Sequence, residues 1–213
     1  MKWLDPALGI GNFPITVYLR LMIGLKDEIT DDKLRKKHIL ENMIYMCELN
    51  KKNVLVCKQI FNINDEYKLN LYQGDSLKLD YHREFNVRQF DIIVGNPPYN
   101  ASGTKATGNT IWQLFVNMSI KLLKSNGYLY FVHSNGWRKP NTDRGKFFGL
   151  FDKMSKENTL LYLEIHDTKD GMRYFNCGTR FDWYILQKKK NENYQTKIID
   201  QNKKQYELNL NDR

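Results

Sequence analysis

The sequence predicts an α/β protein with a mostly parallel sheet, helices on both faces of that sheet, and one antiparallel strand. Short apolar, β-branched runs alternate with stretches in which apolar residues recur at helical spacing. Turns that contain glycine, proline or asparagine separate these stretches. Two late strand candidates follow each other with no predicted helix between them, and this arrangement favours the antiparallel strand.

In the first half of the chain, we predict strands at residues 2–4, 43–49 and 69–72 and in the run that enters Asn96. A helix follows the first strand, with Gly24 near its end, and carries the apolar residues Ile15, Leu19, Met22 and Ile23. A second helix begins near Thr30, and Asn50 caps a third. The basic run Lys33, Arg35, Lys36 and Lys37 is typical of a solvated helix face.

In the second half, residues 101–109 have the composition of a loop, and a helix follows that stops at Asn126-Gly127. Strands are predicted at 128–133, 160–165 and 181–187, and a further helix at 146–154. A long turn with Gly171 and Gly178 joins the last two strands. We expect one catalytic domain over residues 1–190. Residues 191–213 form a polar tail, an edge hairpin or the start of a further region.

Composition and charge narrow the class of partner. The 213 residues include 33 Lys and Arg against 24 Asp and Glu, a formal charge of +9. Such a surplus attracts polyanions and favours nucleic acid, although a merely basic surface is the alternative. The three cysteines are scattered without metal-ligand spacing, so we expect reduced thiols and no metal. No signal peptide or apolar run long enough for a membrane is present, and we expect a cytoplasmic or other intracellular protein.

The stretch Asn96-Pro97-Pro98-Tyr99 ends the fourth predicted strand. Two prolines cannot donate to a sheet, and the first disfavours a helical Asn96. In an open α/β sheet, ligands bind at the carboxyl ends of strands. Asn-Pro alone is typical of a plain turn. The rarer tetrapeptide after a buried strand favours a functional site.

Acidic residues end or follow the first three predicted strands, as Asp5, Glu48 and Asp75. Gly9-Ile10-Gly11 is a poor dinucleotide fingerprint, because Pro14 stands at the third glycine position and Glu48 lies too far along the chain. The pattern also lacks the Lys-Ser or Lys-Thr of a P-loop. Carboxylates at this edge suit a ligand that is cationic and rich in hydroxyl and amino groups, and S-adenosylmethionine is such a ligand.

The pattern Asp-Pro-x-x-Gly-x-Gly-x-Phe at residues 5–13, together with Asn-Pro-Pro-Tyr at 96–99, resembles the adenine-N6 DNA methyltransferases of restriction–modification systems. The likeness is closest to the catalytic part of Eco57I-like type II enzymes and extends from residue 2 to about residue 188. It implies a Rossmann-like S-adenosylmethionine-dependent methyltransferase fold with a seven-stranded sheet. It also implies methyl transfer to the N6 amino group of adenine in double-stranded DNA.

The resemblance also implies roles for individual residues. Glu48 would bind the cofactor ribose, Asp75 and Ser76 the adenine edge, and Phe175 would hold the target base against Tyr99. Leu49 would also contact the cofactor. The turn that holds the methionine part of the cofactor would consist of Asp5, Pro6, Ala7, Gly9, Gly11, Asn12 and Phe13, with Asn96 also near the cofactor.

The chemistry of the tetrapeptide agrees with the implied catalytic role. The Asn96 oxygen and the Pro97 carbonyl can accept the two hydrogens of an adenine amino group and aim its lone pair at a methyl group. Pro98 adds rigidity. Tyr99 offers a stacking face for a base flipped out of the duplex.

The DNA contacts and the alternatives remain open on sequence alone. Lys105, Arg138 and Lys139 are candidates for phosphate contacts and equally for exposed turns. His133 is interpreted as a structural polar histidine rather than a catalytic one, and Trp112 and Trp183 as core residues. A methyltransferase acting on protein glutamine or on an RNA base is one alternative. Another is a non-catalytic remnant that binds DNA or a partner. Because members of the resembled family carry further segments, we expect a separate specificity or restriction region.

Overall fold

A computed structural model describes residues 1–101, 109–139 and 145–212. The fold is mixed α/β, as the sequence predicts, and the chain forms two compact units, Met1–Gly95 and Asn96–Arg213. Most of the predicted loop 101–109, including Lys105, lies outside the described residues. Over the described ranges, no helix is both long enough and apolar enough to cross a membrane.

The first unit contains a four-stranded parallel sheet. Its strands are β1 (Trp3–Asp5), β2 (Ile44–Glu48), β3 (Asn70–Gln73) and β4 (Phe90–Gly95), in the order β3-β2-β1-β4. All three pairings are parallel. The four strands predicted for this half of the chain are therefore confirmed, and their carboxyl ends lie along one edge.

Four helices accompany this sheet: α1 (Asn12–Gly24), α2 (Asp32–Asn42), α3 (Lys51–Asn62) and the short α4 (Tyr81–Phe85). The predicted helix starts are confirmed by caps, since Asp31 accepts the Leu34 N–H at 2.8 Å and Asn50 accepts the Lys52 N–H at 2.9 Å. The solvated face predicted for α2 is wrong at Arg35. This side chain is only 4% exposed and donates to the carbonyls of the turn before the helix.

The core of the first unit lies between its helices and the sheet. The buried apolar residues that form it are Leu8, Ile39, Leu40, Met43, Ile44, Met46, Cys57 and Phe61. Leu8 belongs to the turn after β1, so burial of its side chain fixes the turn against α2 and α3. The turn at the carboxyl end of β1 is thus anchored directly in the core.

The described part of the second unit has a mixed sheet. Its strands are β5 (Leu123–Ser134), β6 (Thr159–His166), β7 (Phe181–Gln187), β8 (Gln195–Ile199) and β9 (Gln205–Asn209), and its helices are α5 (Trp112–Leu122), α6 (Leu150–Ser155) and α7 (Thr168–Phe175). The strand order is β5-β7-β6-β8-β9. β7 is antiparallel to both β5 and β6, β6 pairs with β8 in parallel, and β8 pairs antiparallel with β9.

The structure differs from the sequence-based expectation in the second unit. The seven predicted strands are present, but β8 and β9 raise the number in the described residues to nine, so the tail is an ordered hairpin. Helix α7 stands where a long turn was expected. Helix α5 ends at Leu122, before the predicted stop at Asn126-Gly127, and β5 begins at once. Asn126 keeps its turn-like character within the strand, with φ of 62°.

Candidate active site

Three carboxylates lie along the carboxyl edge of the parallel sheet in the first unit. Asp5 is the last residue of β1 and Glu48 the last residue of β2, while Asp75 lies just beyond β3. Because the strands are parallel and in register, their ends bring these side chains to the same edge. The sequence-predicted set therefore comes together in space.

The turn after β1 is tied to the neighbouring strand ends by hydrogen bonds. The Leu8 N–H donates to the Cys47 carbonyl at 3.1 Å, and the Gly9 N–H donates to Glu48 Oε2 at 2.8 Å. The Ser76 hydroxyl donates to the Pro6 carbonyl. These bonds hold the turn in a single position over β2 and the segment that follows β3.

Gly11 is required by the shape of this turn. Its φ of 95° is in the left-handed region that favours glycine. A Cβ atom at this position would lie 3.1 Å from the Cys57 sulfur of α3. Gly9 also has a positive φ, 58°, but has open space where its side chain would be. A ligand can therefore approach the backbone closely at Gly9.

Asp5 carries an acceptor oxygen that no group of the described residues uses. Its Oδ1 accepts the Ala7 N–H at 3.0 Å, whereas its Oδ2 is buried and has no hydrogen-bond partner among the described residues. Burial raises the pKa of Asp5 to about 8, the Ala7 N–H opposes this shift, and the nearby charge of Glu48 adds to it. A cation placed here would stabilise the ionised carboxylate of Asp5 and so offset both the cost of its burial and its repulsion from Glu48.

The other candidate residues of this edge differ in how they are held. Glu48 is fixed by backbone donors at both oxygens, Gly9 N–H on Oε2 and Asn50 N–H at 2.7 Å on Oε1. Asp75 caps the 3₁₀ turn Ser76–Lys78 through the Leu77 N–H at 3.0 Å. Leu49 is 61% exposed. These acceptors and the open Gly9 fit a cationic ligand that carries hydroxyl and amino groups, and they do not fit a phosphate.

The Asn-Pro-Pro-Tyr segment opens the second unit, directly after the last residue of β4. Asn96 Oδ1 is buried and has no hydrogen-bond partner in the part of the chain that the structure describes. Pro97 is buried and Pro98 exposed. The Tyr99 carbonyl accepts the Ile111 N–H at 3.0 Å, which ties the segment to the start of α5. An amide oxygen is thus kept buried and available on a rigid backbone.

Tyr99 is half-buried and its hydroxyl also lacks a partner within the described ranges. Burial raises the pKa of Tyr99, and the negative charges of Cys177 and Asp182 raise it further. Phe175 ends α7 two positions before Cys177 and packs edge-on against Phe181, with ring centroids 4.8 Å apart. The end of α7 and Tyr99 therefore belong to one neighbourhood. That they hold a base between them stays a prediction.

His133 is a neutral structural histidine, in agreement with the sequence interpretation. It is fully buried, and burial lowers its pKa to about 3. Nδ1 lies 2.9 Å from the Ser134 carbonyl, which only accepts, so Nδ1 carries the proton. Nε2 then accepts from the Tyr184 hydroxyl at 3.0 Å. The ring stacks on Trp112 at 4.1 Å, and Trp112 is a core residue as predicted, whereas Trp183 is only half-buried.

The predicted phosphate contacts have different surroundings. Arg138 Nε lies 3.0 Å from Oδ2 of the buried Asp182, and the Trp137 indole N–H donates to the same oxygen at 3.0 Å. Burial raises the pKa of Asp182 to about 7, and Arg138 and Trp137 oppose this shift. Lys139 is exposed. Sequence reasoning missed Asp182, although an acid inside the apolar run of β7 was a signal that could have revealed it.

A mixed α/β fold, with carboxylates at the ends of parallel strands and Asn-Pro-Pro-Tyr after the last of them, defines a chain of the methyltransferase class. Residues 15–175 match the Eco57I restriction-modification methylase family, and the chain belongs to that family. A relative from Mycoplasma pneumoniae, described as an adenine-specific methylase, is 24% identical over 270 residues. That alignment covers 93% of this chain and 62% of the relative.

Solved structures support the same fold. The EcoKI M protein of a type I restriction enzyme has a TM-score of 0.73 and 18% identity, with 93% of this chain and 44% of that chain covered. A modification subunit of a type I restriction enzyme from Vibrio vulnificus has a TM-score of 0.71 and 15% identity, with 93% and 42% covered. A class I S-adenosylmethionine-dependent methyltransferase from Listeria monocytogenes has a TM-score of 0.58 and 16% identity, with 93% and 58% covered. The chain thus spans less than two thirds of each of these proteins.

Proposed function

We propose that this chain is the catalytic core of an adenine-N6 DNA methyltransferase of a restriction–modification system. The observation that carries this proposal is the Asn96 oxygen in the rigid Asn-Pro-Pro-Tyr segment, which is buried and has no hydrogen-bond partner among residues 1–101, 109–139 and 145–212. Membership of a restriction-modification methylase family supports the reaction class. The name of the Mycoplasma relative supports adenine as the base.

S-adenosylmethionine is the expected cofactor of this family and fold. It supplies a methyl group bound to a positively charged sulfur. On the protein side, the free Asp5 oxygen offers an acceptor for a cationic group, and Glu48 offers its remaining lone pairs to hydroxyl groups. Gly9 leaves room for a close approach to the backbone. The donor set of the first unit therefore suits this molecule.

The proposed chemistry requires acceptors and no strong base. The lone pair of the adenine amino nitrogen is delocalised into the ring, which makes it a weak nucleophile. Asn96 Oδ1 and the Pro97 carbonyl would accept its two hydrogens and localise that lone pair. Because both acceptors are preorganised, they favour the transition state without further reorganisation. The amino nitrogen would gain the methyl group as the sulfur–carbon bond breaks, with that electron pair staying on the sulfur. The nitrogen, now cationic, would then lose one proton to water.

The target base must leave the duplex to reach these acceptors. Tyr99 and Phe175 would stack on its two faces. The formal charge of +9 attracts DNA phosphates. Since the chain spans only part of its relatives, we propose that sequence recognition belongs to a further region or subunit.

The test is methylation of DNA by the wild type and by Asn96→Ala. Unmethylated plasmid DNA is incubated with S-adenosylmethionine, and N6-methyladenine is measured by mass spectrometry of nucleosides. We expect Asn96→Ala to lower the rate about a hundredfold or more, by analogy with the loss of one preorganised polar partner. Asn100→Ala, an exposed asparagine in the same segment, is the matched control and should retain activity.

Two results would contradict the proposal. One is a wild type that transfers labelled methyl groups to RNA or to a glutamine-containing peptide but not to DNA. The other is a folded wild type that shows no calorimetric heat with millimolar S-adenosylmethionine, as a non-catalytic remnant would.

A further inference from the structure

Asp182 is a buried carboxylate that the proposed reaction leaves without a role. It is 0% exposed, and its Oδ2 already receives the Trp137 N–H and faces Arg138, both at 3.0 Å. Its Oδ1 has no hydrogen-bond partner anywhere in the described ranges. Leaving a buried carboxylate oxygen unsatisfied is costly. A donor that reaches this oxygen in another state of the protein would remove that cost.

Most donors around Asp182 are already committed. The Tyr184 hydroxyl donates to His133, and the protonated nitrogen of His133 faces the Ser134 carbonyl. The Trp112 N–H has no partner in the described ranges, but its ring stacks on His133 at 4.1 Å and on Phe147 at 5.1 Å, which restricts its rotation toward a new acceptor. The Trp183 N–H has no partner there either. Because successive side chains of a strand point to opposite faces, Trp183 lies on the face of β7 away from Asp182.

The Tyr99 hydroxyl is another buried donor without a partner among the described residues of this neighbourhood. Arg138 Nε also lacks a hydrogen-bond partner there, but it lies 3.0 Å from Oδ2 of Asp182 and not at the unsatisfied Oδ1. The Tyr99 carbonyl accepts the Ile111 N–H, and Trp112, the next residue, stacks on His133. His133 on β5 stands directly opposite Asp182 on β7, so their side chains share one face of the sheet. The charge of Asp182 also contributes to the raised pKa of Tyr99. Donor and acceptor therefore lie in the same part of the unit.

We propose that Asp182 is a positioning residue for Tyr99: its Oδ1 accepts the Tyr99 hydroxyl in the state that holds the target base. This bond would fix the tyrosine ring as a stacking surface. Trp137 and Arg138 would orient the Asp182 carboxylate through its Oδ2 atom. Arg138 would then stabilise a buried group of the protein in addition to any contact with DNA. The inference rests on the proposed function, because a stacking surface for a flipped base has meaning only there.

The test is a double-mutant cycle with Tyr99→Phe and Asp182→Asn. Phenylalanine keeps the stacking ring and removes only the hydroxyl. In Asp182→Asn, the amide oxygen should turn to the two donors Trp137 and Arg138, which leaves an NH₂ group toward Tyr99 that cannot accept. The readout is the single-turnover rate of N6-methyladenine formation in plasmid DNA at saturating S-adenosylmethionine. Rates are compared with those of the wild type.

We expect each single substitution to lower the rate roughly tenfold, as for the loss of one hydrogen bond to a charged group. Tyr99→Phe should then have almost no further effect in the Asp182→Asn background. Tyr162→Phe is the matched control, because its hydroxyl donates to Glu164 instead. Its effect should multiply with that of Asp182→Asn.

The pH profile gives a readout that a purely structural role would not change. Arg138, His133 and Tyr184 lie beside Asp182. Burial lowers the pKa of His133 to about 3 and raises the pKa of Tyr184 and of Tyr99, whereas burial raises the pKa of Asp182 to about 7. The wild-type rate should rise as Asp182 ionises through that pH. The same rise should be absent in Asp182→Asn and in Tyr99→Phe.

The outcomes separate the two proposals. If the wild type forms N6-methyladenine but the effects of Tyr99→Phe and Asp182→Asn multiply independently, the positioning role is overturned and the proposed function stands. If the wild type binds S-adenosylmethionine but forms no N6-methyladenine, the proposed function fails and the inference with it. Should Asp182→Asn not fold, Tyr99→Phe decides alone: an unchanged rate and pH profile would overturn the inference.

Discussion

The Asp5 carboxyl lies at the end of β1 in the first unit, at the edge where we expect S-adenosylmethionine to bind. Its pKa is raised to about 8, foremost by burial, so at neutral pH the free protein holds this group mostly protonated. Its Oδ2 is buried and has no partner in the described chain. A cationic ligand favours the carboxylate form. Binding should therefore release a proton.

The sign of the pH dependence follows from this linkage. Below about pH 8 the free carboxyl must lose its proton before it can face a cation, which weakens binding roughly tenfold for each pH unit. We therefore expect the dissociation constant for S-adenosylmethionine to fall as the pH rises from about 6 to about 8. Calorimetric titration in two buffers with different ionisation heats measures both the affinity and the released proton.

Asp5→Asn is the control for this prediction. It keeps the size of the side chain and cannot ionise, so binding should be weaker and nearly independent of pH. A wild-type affinity that is constant over this range, with no proton release, would mean that Asp5 does not face the charge of the ligand.

At the scale of elements, α7 shows how tertiary packing decides a local structure. Asp167 caps the helix by accepting the Lys169 N–H at 2.8 Å and the Asp170 N–H at 3.0 Å. Gly171 lies in its middle, where glycine normally weakens a helix. A Cβ atom there would lie 2.1 Å from the Thr179 carbonyl oxygen. The glycine allows the chain after α7 to pack against the helix.

Gly171→Ala should therefore destabilise the protein although alanine is the better helix former. We expect a loss of about 1–3 kcal/mol in the free energy of unfolding, because the following segment must move away from the helix. Urea denaturation followed by circular dichroism measures this loss. Met172→Ala, at a position 54% exposed in the same helix, should change stability by less than about 0.5 kcal/mol. A stabilised Gly171→Ala would show that the packing is not tight.

A comparison of α7 with the other elements shows which parts of the fold the sequence can and cannot predict. The parallel strands, a helix start near Thr30 and the cap at Asn50 follow from local patterns, and the structure contains them. Helix α7 was missed because Gly171 and Gly178 are typical of a turn, and the reason for Gly171 lies in a segment eight residues away. The end of α5 was misplaced because Asn126, a typical helix stop, adopts its positive φ within β5.

The site shows a similar division between local and distant information. The motif residues at the ends of β1, β2 and β4 could be found from their sequence positions alone. The role of Asp182 could not, because it depends on Trp137 and Arg138 from a different element. Its isolation inside an apolar strand was visible, but the sequence does not name its partners.

For the whole molecule, the excess of basic residues is the feature that concerns DNA. The formal charge is +9, and the proposed function leaves sequence recognition to a further region or subunit. Binding of this chain to DNA should then be mainly electrostatic. Such binding releases counterions from the phosphates, and its salt dependence counts the phosphates contacted.

We expect the logarithm of the association constant for a duplex of about 25 base pairs to fall linearly with the logarithm of the salt concentration between about 50 and 200 mM. Lys139→Ala should reduce the magnitude of this slope by about 0.9, the value for one lost phosphate contact. Arg138→Ala should reduce it less, because Asp182 already offsets that charge at 3.0 Å. Fluorescence anisotropy of a labelled duplex measures each slope.

Lys33→Ala, exposed on α2, is the control and should leave the slope unchanged. Equal effects of Lys33→Ala and Lys139→Ala would show that the net charge, and not a surface around Lys139, attracts the DNA.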